Sequence, residues 1–304
     1  MAHAVGCQPA MSKEQFRTID GVLYRRHSTP YAFDLRVHQL GPHVEATAMP
    51  RYGWEEVGNV SPGALSDAAM CDGNIWVDGC WQAFQPSEQE LLDRAAANRE
   101  RSARRARTAV RRLVKAKCLD TMLTLTYRAN VVDREVIRRH LDMVIKRIRR
   151  VIPGFQYVAV LERQKRGAWH AHLAVERVQS HYLHKGVLVR SYDLLRAIWR
   201  AVVGELGGNI DVARSRAARR SSSRIAAYLS KYIGKGLDAV EGGDSYSASG
   251  RALPPPVVIR HLGTDYGGAC SALVTLLLSF FPCNTEFHGA HLDGGGYYVS
   301  LSPP

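Results

Sequence analysis

ERQKRGAWHAHLAV, residues 162–175, has a His-Ala-His at its centre. Successive side chains on a β-strand point to opposite faces, so His170 and His172 project from the same face. Ala168, Trp169, Ala171, Leu173 and Val175 around them are apolar, and Tyr157-Val-Ala-Val-Leu161 just upstream has the composition of a second buried strand. A charged turn over Arg163–Gly167, closed by a glycine, would join the two strands as a hairpin and bring the Glu162 carboxylate back beside the histidines. His170, His172 and Glu162 then form a two-imidazole, one-carboxylate donor set that leaves coordination positions open, as catalytic rather than structural metal centres do. Paired strand histidines also occur hydrogen-bonded and metal-free, so a second signal is needed.

That signal is RIAAYLSKYIGK, residues 224–235. On a helix advancing about 100° per residue, Tyr228, Lys231, Tyr232 and Lys235 share one arc, and Ile225, Leu229 and Ile233 form the adjoining apolar stripe. Aromatic residues on a helix face commonly pack into a core with lysines snorkelling beside them. Interleaved lysines have a further use where a phenol must lose its proton and attack a phosphate. A nearby cation favours the phenolate and neutralises charge building on phosphoryl oxygens.

Thr124-Leu-Thr-Tyr127, then Glu162 with His170-Ala-His172, then Tyr228-Leu-Ser-Lys231-Tyr232-Ile-Gly-Lys235 resemble, in order, the three motifs of HUH-superfamily rolling-circle replication initiators. Two tyrosines four residues apart are similar to the two-tyrosine branch, with the nearest likeness to replication proteins of filamentous-type phages and related plasmids. The resemblance extends over about Ser87–Leu237. It implies an α+β fold with a central antiparallel sheet of the split βαβ, ferredoxin-like type and flanking helices. It also implies an enzyme that nicks single-stranded origin DNA. His170, His172 and Glu162 would hold Mg²⁺ or Mn²⁺, the ions suited to a carboxylate and phosphate oxygens. Tyr228 or Tyr232 would attack to give a 5′-phosphotyrosyl intermediate and a free 3′-hydroxyl primer, the second tyrosine serving a later cleavage or rejoining. Lys231 and Lys235 would stabilise phosphate charge. A transposase or relaxase sharing this chemistry, a phosphoesterase using water, and a non-catalytic nucleic-acid-binding module remain as alternatives.

The rest of the chain accords with a polyanionic partner. At 304 residues it accommodates one or two domains, and 41 Lys+Arg against 28 Asp+Glu give a net charge of +13. Six cysteines, Cys7, Cys71, Cys80, Cys118, Cys270 and Cys283, form no CxxC pair and read as reduced thiols. No apolar run is long enough to span a bilayer and no secretory leader is evident, so the expected location is the cytoplasm of a bacterial host. There is no GxxxxGK[ST] motif, which leaves strand separation to a host helicase and extension to a host DNA polymerase.

Four regions are expected. Residues 1–84 are Gly-, His- and Pro-rich and read as loose accessory structure, with strand-like fragments at Phe33–Val37 and Asn74–Val77. His38, His43, Cys71 and Cys80 there are metal-ligand types at a spacing that matches no zinc template. Residues 85–118 form a basic helix opened by the capping box Ser87/Glu90. Its run of cations suits a solvated face, or a DNA backbone contacted by Arg104, Arg105, Arg111, Arg112, Lys115 and Lys117. Residues 119–240 hold the endonuclease core in the order β-α-β-β-α-β-α, with Gly207-Gly208 as a break before the last strand and Ser215–Arg220 as a basic loop leading into the tyrosine helix. Residues 241–304 are a Gly/Ser/Pro-rich linker followed by apolar pieces, Ala272–Phe281 and Gly295–Leu301, that would pack back on the core.

Overall fold

The computed structural model describes residues 15–19, 22–58, 70–71, 74–77, 80–83, 85–213, 222–237, 245–278, 286–292 and 294–303. The N-terminal strands are β1 (Gln15–Ile19), β2 (Val22–Leu40), β3 (His43–Glu56), β4 (Met70–Cys71), β5 (Asn74–Val77) and β6 (Cys80–Ala83). Helix α1 (Glu88–Ala116) leads into β7 (Thr121–Tyr127), α2 (Arg134–Val151), β8 (Tyr157–Arg163), β9 (Trp169–Val175), β10 (His181–His184) and β11 (Val187–Arg190). Helix α3 (Ser191–Val203), β12 (Gly208–Ala213) and α4 (Ser222–Leu237) follow, then β13 (Ser247–Ala248), β14 (Val257–Leu262), α5 (Tyr266–Leu278), β15 (Glu286–Leu292) and β16 (Gly296–Ser302).

The core is α+β, as expected. Its sheet runs β12-β7-β9-β8-β13, and every pairing in it is antiparallel. The first four strands in that order give the 4-1-3-2 arrangement of a split βαβ unit. Strand β9 is central and buried along its whole length, because helices cover both faces. Leu123, Leu125, Leu173 and Val175 point to α2 and α3, where Ile137, Val144, Ile148 and Trp199 close one core. Met122, Val158, Val160 and Ala174 point the other way, to α1 and α4, and meet Val110, Leu113, Ile225 and Leu229. This is the period-2 alternation of strands and the stripe of amphipathic helices acting together. The Ser87/Glu90 capping box closes α1 as anticipated, and Asp133 caps α2 by accepting from the Glu135 amide.

The regions flanking the core differ from expectation. Residues 22–56 are not loose. Strands β2 and β3 form a long bulged hairpin, and β16 and β15 add to its β3 side. Strands β1, β4, β5 and β6 extend the other side, and β14 also pairs with β2, giving a nine-stranded sheet among the described residues. The apolar C-terminal pieces therefore pack on the N-terminal strands rather than on the five-stranded core sheet. Ala269, Leu273 and Leu277 of α5 cover Phe33, Leu35, Val44, Ala46, Val299 and Leu301. Part of the expected linker is structured as well: β13 pairs with β8, and the Ser249 hydroxyl accepts from the Tyr157 amide at 2.9 Å. Two further elements were not foreseen, the hairpin β10–β11 between β9 and α3 and the 3-10 turn Gly204–Leu206 that ends the second core helix at Val203. The basic loop Ser215–Arg220 lies outside the described residues.

Helix α1 lies between the two sheets. One face, with Ala106, Val110 and Leu113, joins the α+β core. The other meets Glu45, which projects from β3 with no solvent exposure. Arg111 Nε lies 2.8 Å from Glu45 Oε1, Arg112 Nε 3.2 Å from Oε2, and Lys115 Nζ 3.0 Å from Oε1. Lys115 also donates to Ser300 Oγ at 2.8 Å, and Lys117 to Gln156 Oε1 and the Ser249 carbonyl, both at 2.9 Å. This corrects the reading of these four cations as a DNA-tracking face: they join α1 to the two sheets. Arg104, paired to Glu100 at 2.7 Å, and Arg105 remain exposed.

Candidate active site

The hairpin β8–β9 forms in the expected register, with Glu162 opposite His170 and Val160 opposite His172. Its turn is closed by Gly167 at φ 89°, in the left-handed region that glycine enters without strain, and by the Gly167 amide donating to the Gln164 carbonyl. Glu162, His170 and His172 consequently share the face that looks towards α1 and α4. Glu162 reaches diagonally across the pair, its Oε2 lying 2.8 Å from His172 Nε2. On the other side of His172, Thr124 Oγ1 of β7 lies 3.3 Å from Nδ1. Both ring nitrogens of His172 are thus positioned by neighbours.

His170 is held differently. Its Nδ1 lies 3.1 Å from Gln164 Nε2, while its Nε2 is buried with no hydrogen-bond partner. Burial, followed by the nearby His172 and Arg166 charges, lowers the His170 pKa and favours a neutral ring. Gln164 was not singled out in the sequence; its place in the hairpin turn, six residues before His170, is the signal that points to it. Among the described residues no three His, Cys, Asp or Glu side chains are preassembled into a metal cage, because Glu162 is engaged with His172. The N-terminal candidate His43 is likewise committed, to Ser222 Oγ at 2.6 Å.

Helix α4 brings the tyrosines to this face. Ile225, Ala226, Leu229 and Ile233 are buried, which turns the next arc of the helix towards β9. The Tyr232 ring stacks on His172 with centroids 4.2 Å apart and 12° between planes. Tyr228 meets Tyr232 edge-on at 5.1 Å, and the Tyr232 hydroxyl donates to the Tyr228 oxygen. Burial, then the hydrogen bond and charge of Tyr228 and the Glu162 carboxylate, raise the Tyr232 phenol well above its ordinary range. Tyr228 is 46% exposed. Lys231 is exposed on the same helix, and the Lys235 side chain lies outside what is described. Five of the anticipated residues, Glu162, His170, His172, Tyr228 and Tyr232, therefore stand together, although they come from three elements.

Residues 120–237 match the family model for the replication-associated protein ORF2. The matched segment runs from the start of β7 to the end of α4, less than half of the chain, and encloses all five residues. In this segment the chain is similar to replication-associated proteins. No curated protein and no solved structure matches the chain.

Proposed function

We propose that the chain initiates rolling-circle replication by nicking single-stranded origin DNA through tyrosine attack. The observation that carries this reading is the stacking of Tyr232 on His172 with Tyr228 hydrogen-bonded beyond it, which sets two phenols against the His-Ala-His face. Neither a water-dependent phosphoesterase nor a binding module has a use for that pair. The similarity of residues 120–237 to replication-associated proteins supports the same assignment.

Tyr228 acts first in this scheme. It is the more exposed phenol, and it accepts the Tyr232 hydrogen bond, which stabilises its oxygen as negative charge develops. Its Oη forms a bond to the scissile phosphorus while the P–O3′ bond breaks. The Tyr228 phenolic proton passes to solvent, the bonding pair leaves on O3′, which takes a proton from solvent to become the primer hydroxyl, and the 5′-phosphate stays on the tyrosine. Tyr232 performs the later transfer that rejoins the strand. Exposed Lys231 offsets phosphate charge.

A divalent cation, Mg²⁺ or Mn²⁺, fits the donor set, because His170 Nε2 is a buried nitrogen with no partner and His172 and Glu162 lie on the same face. Such an ion, when bound, supplies polarisation of the scissile phosphate. Thr124, whose hydroxyl lies 3.3 Å from His172 Nδ1, orients that imidazole towards the task.

The test is incubation with 5′- and 3′-labelled single-stranded origin oligonucleotides in Mn²⁺ or EDTA, resolved on a denaturing gel. A protein-bound band carrying only the downstream label is expected with Mn²⁺ and not with EDTA. Tyr228→Phe should remove the first adduct, and Tyr232→Phe should keep that adduct and lose rejoining. Persistence of the adduct in the double variant would overturn the assignment.

A further inference from the structure

The polar face of the core sheet continues past the tyrosines. Thr126 lies two residues beyond Thr124 on β7, about 7 Å along the strand, and pairs directly with Asn209 of β12. Directly opposed residues of an antiparallel pair point to the same side, so Thr126 and Asn209 carry the face of His172 to the sheet edge. There, at the strand ends, a cleft of about 610 Å³ is lined by both, by Arg128, and from the α3 side of the sheet by Tyr192, Arg196 and Arg200.

The lining is cationic and lacks a carboxylate. Arg128 is exposed at the end of β7 and makes no ion pair among the described residues. Arg200 donates its Nε to the Gly208 carbonyl at 3.1 Å, which fixes its direction without neutralising it. Arg196 lies over the Tyr192 ring at 5.1 Å and 3.4 Å from Asp193, a carboxylate already paired to Arg190 at 2.8 Å. A guanidinium laid on an aromatic ring is a planar cation held in place, suited both to phosphate oxygens and to the face of an unpaired base. Gly207, at φ 59°, adds no side chain to the cleft rim, so a polymer backbone can come close.

We propose that this cleft binds the phosphodiester backbone of single-stranded DNA next to the cleavage point, with Arg128, Arg196 and Arg200 as phosphate contacts. The inference rests on the nicking reading for its choice of polymer, and Thr126 and Asn209, which belong both to the His172 face and to the cleft, give the strand a path around the sheet edge.

The experiment uses the full chain and a fluorescein-labelled oligo-dT about twenty nucleotides long, with binding followed by anisotropy between about 50 and 200 mM salt, the range over which counterion release is read. Each lost phosphate contact on a single strand lowers the slope of log affinity against log salt by about 0.7. Arg128→Gln and Arg196→Gln should each weaken binding and lower the slope by about that amount, and the double variant by about twice it. Arg128→Lys and Arg196→Lys should keep the slope, which separates lost contacts from lost folding. Arg150→Gln, an exposed arginine at the end of α2, should leave it unchanged. An unchanged slope in the double variant, or an equal fall in Arg150→Gln, would overturn the proposal. If the cleft variants bind as wild type while the tyrosine adduct still forms, the cleft alone is wrong. If the slope falls as expected and no adduct ever forms, the cleft stands and the tyrosine chemistry fails.

Discussion

Glu45 has no contact with solvent and is surrounded by Arg111, Arg112 and Lys115 of α1 and by Tyr298 of β16. Burial opposes its charge, yet hydrogen bonds and charge from Arg111 and Lys115 more than offset that and hold the carboxyl down to about 2. Removing one partner of a buried ion cluster leaves the remainder uncompensated and costs about 3–5 kcal/mol. Glu45→Gln should therefore lower the unfolding free energy by an amount of that order, read from urea titration followed by far-UV circular dichroism. His43, two residues earlier on the same face, is buried against the Ser222 hydroxyl, and burial with the Lys115 charge lowers its pKa to about 4. A depressed histidine stabilises the fold above its ordinary value of 6.5, and that contribution disappears as pH falls towards 4. The Glu45 contribution is complete above 4.5 and is lost only as pH falls towards 2. Acid should thus destabilise the protein in two stages, and His43→Gln should reduce the first, to which His38, His140 and His170 also contribute through their lowered pKa values, while sparing the second in urea titrations run at successive pH values.

The core elements were legible wherever a periodic pattern matched a buried face. β7, α2, β8 and β9 each bury a stripe, and their sequences declare it. The hairpin β10–β11 escaped because it buries almost nothing: Leu183, Val187 and Leu188 are 69%, 62% and 67% exposed, so no face is enforced. The cations of α1 were misassigned because a charge run reveals sign and not partner, and their partner Glu45 lies on a strand more than sixty residues away. The Gly207-Gly208 pair reads as a break before β12, yet Gly208 opens that strand for a steric reason. A Cβ there would stand 2.5 Å from Trp199 Nε1 and 3.1 Å from the Thr126 carbonyl, the two groups that hydrogen-bond α3 to β7 at 2.9 Å. Gly208→Ala should push the Trp199 ring from its site, costing about 1–3 kcal/mol of overpacking, and should be seen as a lower thermal midpoint with altered tryptophan emission.

Across the whole molecule, the tails were illegible because each supplies only part of a core. Phe33, Leu35 and Val44 find only Ala46, Ala48 and Val37 as apolar partners within their own hairpin; α5 and β16 cover them from more than two hundred residues later. Polar contacts link this sheet to the tyrosine helix: His43 meets Ser222, and the Ser223 hydroxyl meets that of Ser302 at 2.6 Å. A chain cut after residue 256 keeps both layers around the five-stranded sheet but loses the cover of β2 and β3. Limited proteolysis of that truncated protein should leave a resistant fragment spanning residues 85–237 and digest residues 22–56; a resistant hairpin would count against this. On the ribosome the same connectivity imposes a schedule. Strands β2 and β3 emerge early and are completed last, so the α+β core matures while an unfinished sheet waits beside it, and Ser223 of α4 acquires its Ser302 contact only when translation has passed that residue.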